Sequence, residues 1–191
     1  MRSSIGIAVV AALAFGAQHA RAGQASRTRP ADRSAPGASL LANAGAQLGA
    51  APLLYFADIR NRPAYCAGHV VPLEALRPDL AHTATTPRFA WIGPNDCSDM
   101  EGCGIHAGDR FLASQLGAVL RSPAWRTQRS LAIITVDEDA YNHPDPPQRV
   151  ATLLLASSGV RHGYVSHARY THYSLLRTIE APDLGRPVRL S

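Results

Sequence analysis

Ser130-Leu131-Ala132-Ile133-Ile134-Thr135-Val136-Asp137-Glu138-Asp139 is the stretch on which the reading of this chain turns. Residues 131–136 are apolar or β-branched throughout and predict a buried strand, and three carboxylates follow it at once. In open α/β sheets, ligands gather at the carboxyl ends of strands. Carboxylates placed there make a natural cage for a hard divalent cation such as Mg²⁺ or Ca²⁺. Strand side chains alternate faces, so Asp137 and Asp139 share a side only if the extended chain continues. A bend after Val136 would bring Asp137 and Glu138 together instead. An acidic turn that simply ends the strand is the plain alternative.

Working outward, Phe89-Ala90-Trp91-Ile92 predicts a second buried strand, closed by Gly93-Pro94. Between the two strands, residues 108–120 set Phe111, Leu112, Leu116, Val119 and Leu120 on one helical face, stopped before Pro123. Pro72 is suited to open a short helix running to Leu80, since proline is tolerated at a first helical position. Residues 53–56 form a short apolar run. Downstream, residues 151–156 predict the next strand and residues 172–180 a helix. Strands flanked by helices argue an α/β domain with a largely parallel sheet. No internal repeat is present.

The amino terminus has a different character. Arg2 precedes an apolar run over residues 5–17, about 13 residues long, the length of a signal-peptide core and short of the roughly 20 needed to span a bilayer. Ala20-Arg21-Ala22 places small residues where a signal peptidase reads them, so cleavage is expected after Ala22 and the chain is expected to be secreted or periplasmic. The alternative, a buried N-terminal helix, lacks a polar face. Residues 23–50 are rich in Ala, Gly, Ser and Arg and read as a flexible lead-in, ordered near its end if anywhere. Residues 51–191 have the composition of a folded domain, and no transmembrane segment is predicted. The net charge of +5 is scattered and mostly arginine, with no basic run alternating with aromatics, so it does not argue for nucleic acid.

Three cysteines in an exported chain make an odd number. Cys97 and Cys103 enclose a short loop and are expected to bridge in an oxidising compartment, fixing the shape of the loop. Cys66 is left over. Within and beside that loop, Asn95, Asp96, Ser98, Asp99 and Glu101 follow a strand end and can point into a site. An Asx-turn that satisfies nearby backbone is the competing explanation. Of the eight histidines, His69 lies among apolar residues and is expected to be partly buried. His172 stands at the start of the last helix, where backbone N–H groups attract anions. His19 lies in the export signal, and His82, His143, His162 and His167 read as surface residues. There is no Gly-x-Ser-x-Gly elbow, no His-Glu-x-x-His and no zinc-type Cys/His spacing.

Four blocks then acquire a common meaning. Phe89-Ala-Trp-Ile-Gly-Pro-Asn-Asp-Cys-Ser-Asp-Met, Ser122-Pro-Ala-Trp125, Leu131-Ala-Ile-Ile-Thr-Val-Asp-Glu138 and Tyr170-Thr-His-Tyr-Ser-Leu-Leu-Arg-Thr-Ile-Glu180 together resemble the bacterial phosphoesterase family. That family holds acid phosphatases and phospholipases C within the alkaline phosphatase superfamily. Tyr55-Phe-Ala-Asp-Ile-Arg-Asn-Arg-Pro-Ala-Tyr-Cys66 and His69 also look like family text, and the likeness runs over about residues 53–179. It implies an α/β fold, a partial alkaline-phosphatase-like sheet flanked by helices. It also implies hydrolysis of phosphate mono- or diesters by a Ser or Thr nucleophile, with one divalent ion (Mg, Ca or Mn) as Lewis acid. By the resemblance, Asp137 and Glu138 match the metal pair, while Asn95, Asp99 and His172 match other motif positions.

Two departures shape the expectation. Where the family loop carries Asp-Met-His or Asp-Gly-His, this chain has Glu101, whose carboxylate would repel a phosphate dianion. Nothing here matches the Glu-Asn metal pair or the nucleophile of the family's N-terminal half, so that half of the fold is read as absent, and Cys66 as having lost its partner with it. The expectation is an exported phosphoesterase-family protein whose activity is weak or lost, acting on a phosphate ester if at all. The competing reading is a non-catalytic remnant that binds a divalent cation or a partner protein; an unrelated secreted binding domain is a third. A remnant of a sheet would expose strand edges, so marginal stability or self-association through such an edge is also expected.

Overall fold

The computed structural model describes residues 7–8, 38–42, 52–100, 102–136 and 150–180. It opens with β1 (Ile7–Ala8), β2 (Ala38–Ala42), a 3-10 turn (Pro52–Tyr55), α1 (Ala57–Arg60), α2 (Pro63–His69) and β3 (Val70–Pro72). A second 3-10 turn (Leu73–Ala75) leads into α3 (Leu76–Asp79), β4 (Phe89–Gly93), α4 (Ile105–Arg121) and α5 (Pro123–Thr127). Then come β5 (Leu131–Val136), β6 (Leu153–Ala156) and α6 (His172–Glu180). The strands expected around 89–92, 130–136 and 151–156 all form, as do the helices expected at 108–120 and 172–180. The helix expected to open at Pro72 does not, since Pro72 ends β3, a 3-10 turn follows and α3 starts only at Leu76. The helix expected from Gly108 begins earlier, at Ile105, because Gly104 turns the chain into it with φ 74°. Only glycine takes that angle freely.

The strands assemble into two small sheets of opposite kinds. In one, β2 lies parallel between β3 and β4, with Leu40 opposite both Val70 and Trp91. In the other, β5 runs antiparallel to β1 and to β6, with Val136 opposite Ile7 and Leu131 opposite Ala156. β1 also lies against β4, where the two sheets adjoin. The expectation of a largely parallel sheet therefore holds for the first group and fails for the second. The reason is visible in β6, whose Leu153 and Leu154 are exposed. A parallel strand is buried on both faces, whereas an antiparallel edge strand can face water. β2 falls inside the stretch read as a lead-in and β1 inside the stretch read as an export signal.

The alternation of β4 explains the layers. Ala90 and Ile92 point to one side, where they join Val71, Leu76, Leu80, Phe111 and Val119 in the larger core cluster. Phe89 and Trp91 point to the other, packing on Ile133 together with Leu131, Leu175 and Ile179. α4 therefore covers one face and α6 the opposite one. Leu76, Ile92, Val119 and Ile133 are fully buried, each removing about 1.5–3 kcal/mol worth of apolar surface from water.

Helix ends are set by local chemistry. Ser122 caps α5, its Oγ accepting the N–H of Trp125 at 3.1 Å, with Pro123 at the first helical position. At α6, Thr171 Oγ1 accepts from Ser174 N and Ser174 Oγ accepts from Thr171 N, both at 3.3 Å. That is a reciprocal cap with serine where Glu or Gln is more usual. Ser157 Oγ accepts from Ser130 N at 2.9 Å and donates to Gln128 O at 2.8 Å, fastening the start of β5 to the end of β6.

Candidate functional site

The loop after β4, residues 94–104, is held at several points. Asn95 accepts twice from Ser98 N, through its backbone oxygen at 2.8 Å and its Oδ1 at 3.0 Å. Its backbone oxygen also accepts from Asp99 N at 2.9 Å, so Asn95 and Asp99 are brought together across one turn. Asp96 O accepts from Gly102 N at 2.6 Å. A Cβ on Gly102 would sit 3.1 Å from that same oxygen, which accounts for glycine there. The expected Cys97–Cys103 disulfide is present and closes the loop, with the two Cα atoms 4.6 Å apart.

Met100 is the hinge of this arrangement. It adopts φ 81°, the left-handed region that a side chain with a Cβ rarely enters. In return its side chain packs against the larger core cluster and reaches Gly108 on α4. The loop's middle is thereby stapled inward while Asp96 and Cys97 stay exposed. Asp99, by contrast, is buried at 8 % exposure. A carboxylate in that position costs free energy unless it is hydrogen-bonded or paired. Asn95 thus forms the Asx-type turn offered as one explanation for it, and the same turn holds the backbone of Asp99.

β5 ends at Val136, the residue before the acidic stretch in the sequence. Val136 packs against the core on the α4 side. Thr135 Oγ1 shares a hydrogen bond with Thr152 Oγ1 at 2.9 Å, which ties the end of β5 to the chain entering β6. The two residues expected to hold a metal, Asp137 and Glu138, come next and lie outside the described residues, as does Glu101. Among the described residues no group of three or more His, Cys, Asp or Glu side chains is placed to hold a metal ion.

His172 opens α6 and is exposed, beside Tyr173. His69 is half-buried, as expected, and its role is structural: Nδ1 donates to Tyr65 O at 2.8 Å. Its ring stacks on Tyr65 with centroids 3.9 Å apart, and the Arg62 guanidinium lies over the same tyrosine at 4.7 Å. Cys66, on the same helix, is a half-buried free thiol. His82, His162 and His167 are exposed as expected, and His143 lies outside the described residues. His106 has no signal in the sequence beyond being one of eight histidines. The fold sets it, exposed, on the first turn of α4 directly after the disulfide loop.

Among the described residues no helix is long and apolar enough to cross a membrane. Set beside known families, residues 60–182 match the model described as "Phosphoesterase family", well over half of the chain. Neither the curated proteins nor the solved structures gave a match.

Proposed function

We propose a function that proceeds from one premise: this chain belongs to the phosphoesterase family. Membership points to hydrolysis of phosphate esters in general. Our finer reading is metal-assisted hydrolysis of phosphate mono- or diesters at the carboxyl ends of β4 and β5. The observation that carries it is the extent of the match. Residues 60–182 include Asn95, Asp99, Asp137, Glu138 and His172 in one continuous stretch. β4 and β5 are joined through α4 and α5 and belong to different sheets, which adjoin through β1; that their carboxyl ends share one site is part of this reading.

Asp137 and Glu138 would hold one divalent cation (Mg²⁺, Ca²⁺ or Mn²⁺), which supplies Lewis acidity and charge neutralisation at a phosphate. The chain's own contribution is positional. The disulfide loop, with Asn95 and Asp99 held by one turn after β4, would form one wall of the site, and exposed His172 would offer an imidazole to a phosphate oxygen. No residue here matches the family's nucleophile, so the chain alone is expected to turn over weakly or not at all. A partial alkaline-phosphatase-like fold is part of this reading. Glu101 in place of the family's histidine favours the second reading, a non-catalytic protein that binds a divalent cation or a partner.

Export belongs to the same reading. The residues before Ala22 have the pattern of a signal peptide, and the Cys97–Cys103 disulfide suits an oxidising compartment. Cleavage after Ala22 would take β1 from beside β5 and open that strand's edge. β6 is an edge strand with exposed Leu153 and Leu154, and either edge offers a route to self-association.

The test is hydrolysis of a chromogenic phosphate monoester and a diester by the purified chain. It is run with Mg²⁺, Mn²⁺ or Ca²⁺, with chelator, and beside Asp137→Ala. Metal-dependent turnover that vanishes in Asp137→Ala establishes the catalytic reading. Folded protein that binds the ion, shown by metal-dependent rise in melting temperature, but does not turn over establishes the second.

A further inference from the structure

One exposed stretch of the fold carries arginines and no carboxylate of its own. Every residue from 158 to 173 is exposed, and no Asp or Glu occurs between Val150 and Ile179. Two glycines at positive φ, Gly159 at 83° and Gly163 at 65°, shape this segment as an open surface loop. Arg161 lies over the Tyr164 ring at 4.9 Å, so cation and aromatic present one combined face. Ser166 Oγ donates to the Tyr170 hydroxyl at 3.2 Å and accepts from Ala168 N at 3.3 Å, which closes residues 166–170, with exposed Arg169 among them, into one turn. From another element, the Arg129 guanidinium reaches within 4.0 Å of where a Cβ on Gly159 would lie.

Aliphatic groups are interleaved with these. Val160 is 42 % and Val165 68 % exposed, and Tyr164 is 61 % exposed. Exposed Val and Tyr beside arginine, in a stretch that carries no carboxylate of its own, is the mixture favoured at the boundary between lipid headgroups and acyl chains. A surface reading nucleic acid would use the arginines and tyrosines but would gain nothing from exposed valines.

We propose that residues 160–170, through Arg161, Tyr164, Val165 and Arg169, dock this protein on an anionic phospholipid surface. Arg161 and Arg169 meet lipid phosphates while Val165 and the Tyr164 ring enter the interfacial layer. This docking is separate from hydrolysis and does not depend on the catalytic reading.

Flotation of the purified chain with vesicles tests it, since protein that merely associates with itself does not float. Vesicles of phosphatidylcholine mixed with phosphatidylglycerol should carry the chain, and vesicles of phosphatidylcholine alone should not. Arg161→Gln with Arg169→Gln should weaken binding about 25-fold, about fivefold for each arginine. Tyr164→Ser with Val165→Ser should weaken it several-fold without changing its salt dependence. Arg60→Gln with Arg62→Gln, exposed elsewhere on the chain, should leave it nearly unchanged. All six positions are exposed, and an unchanged circular dichroism spectrum confirms that each variant folds. Equal flotation on neutral vesicles, or an equal loss in the Arg60/Arg62 variant, overturns the proposal. So does binding of a single-stranded oligonucleotide that is tighter than binding to vesicles and that the Arg161/Arg169 variant abolishes.

Discussion

The two faces of β4 are built to different depths. On the α4 side, Ala90 and Ile92 meet buried residues from β3, α3 and α4, and half-buried Met100 and Trp125 close around them. On the α6 side, Ile133 is the buried residue of a cluster whose other members are half-buried, and exposed Tyr173 and Leu176 ride on the helix that covers it. Stability follows apolar area removed from water, so the first face carries the domain and the second is a thin cover. The candidate loop is anchored in the deep face through Met100. The candidate histidine and the basic loop belong to the thin one. Rigidity is concentrated where Asp99 is positioned, and exposure where a large partner could be met.

Four variants would break or sharpen this contrast. The largest effect is expected from Ile92→Ala, which opens a cavity in the deep core and should cost about 3 kcal/mol in urea unfolding. A smaller loss would mean that the α4 face is not the main source of stability. Cys97→Ser with Cys103→Ser should cost about 2 kcal/mol by freeing the short loop in the unfolded chain. Reducing agent should reproduce the shift in the unmutated protein, and an effect only with reductant would point to a Cys66–Cys66 bridge between two chains instead. Leu175→Ala, in the thin layer, should cost about 1.5 kcal/mol, half the Ile92→Ala value; parity between the two would erase the contrast. Gly108→Ala should cost about 1 kcal/mol, because its Cβ would collide with Met100 Cγ and overpacking outweighs the gain in helix propensity. Stabilisation by Gly108→Ala would show that Met100 moves aside freely and that the loop is not stapled inward.

Much of the framework could be read from residue types. β4, β5, α4 and α6 each carry an apolar face with its own period, and packing on both sides of the sheet agrees with it. β2 could not be read so. Ala38-Ser39-Leu40-Leu41-Ala42 is short, has weak β propensity and sits amid low-complexity sequence; its two neighbours make it a strand. The direction of β6 was also hidden, since an apolar run does not say whether both of its faces will be covered. In the candidate site, the disulfide and the Asn95 turn follow from compartment and residue chemistry. The left-handed Met100 does not, because that conformation goes with packing of its side chain against the core from the middle of a closed loop. The acidic pair after Val136 was the plainest chemical signal in the chain, and it lies outside the described residues.

β2 has a consequence for how the chain reaches this structure. It is the middle strand of its sheet, yet both of its partners come later in the sequence, at Val70 and at Trp91. No local hairpin can start that sheet; two long loops must close before its middle strand is paired on both sides. Such non-local pairing slows folding relative to a helical or hairpin-rich chain of the same size. While β2 waits, its backbone donors and acceptors stand open to any other extended segment, so the yield of native protein should depend on concentration during refolding more than its final stability would suggest.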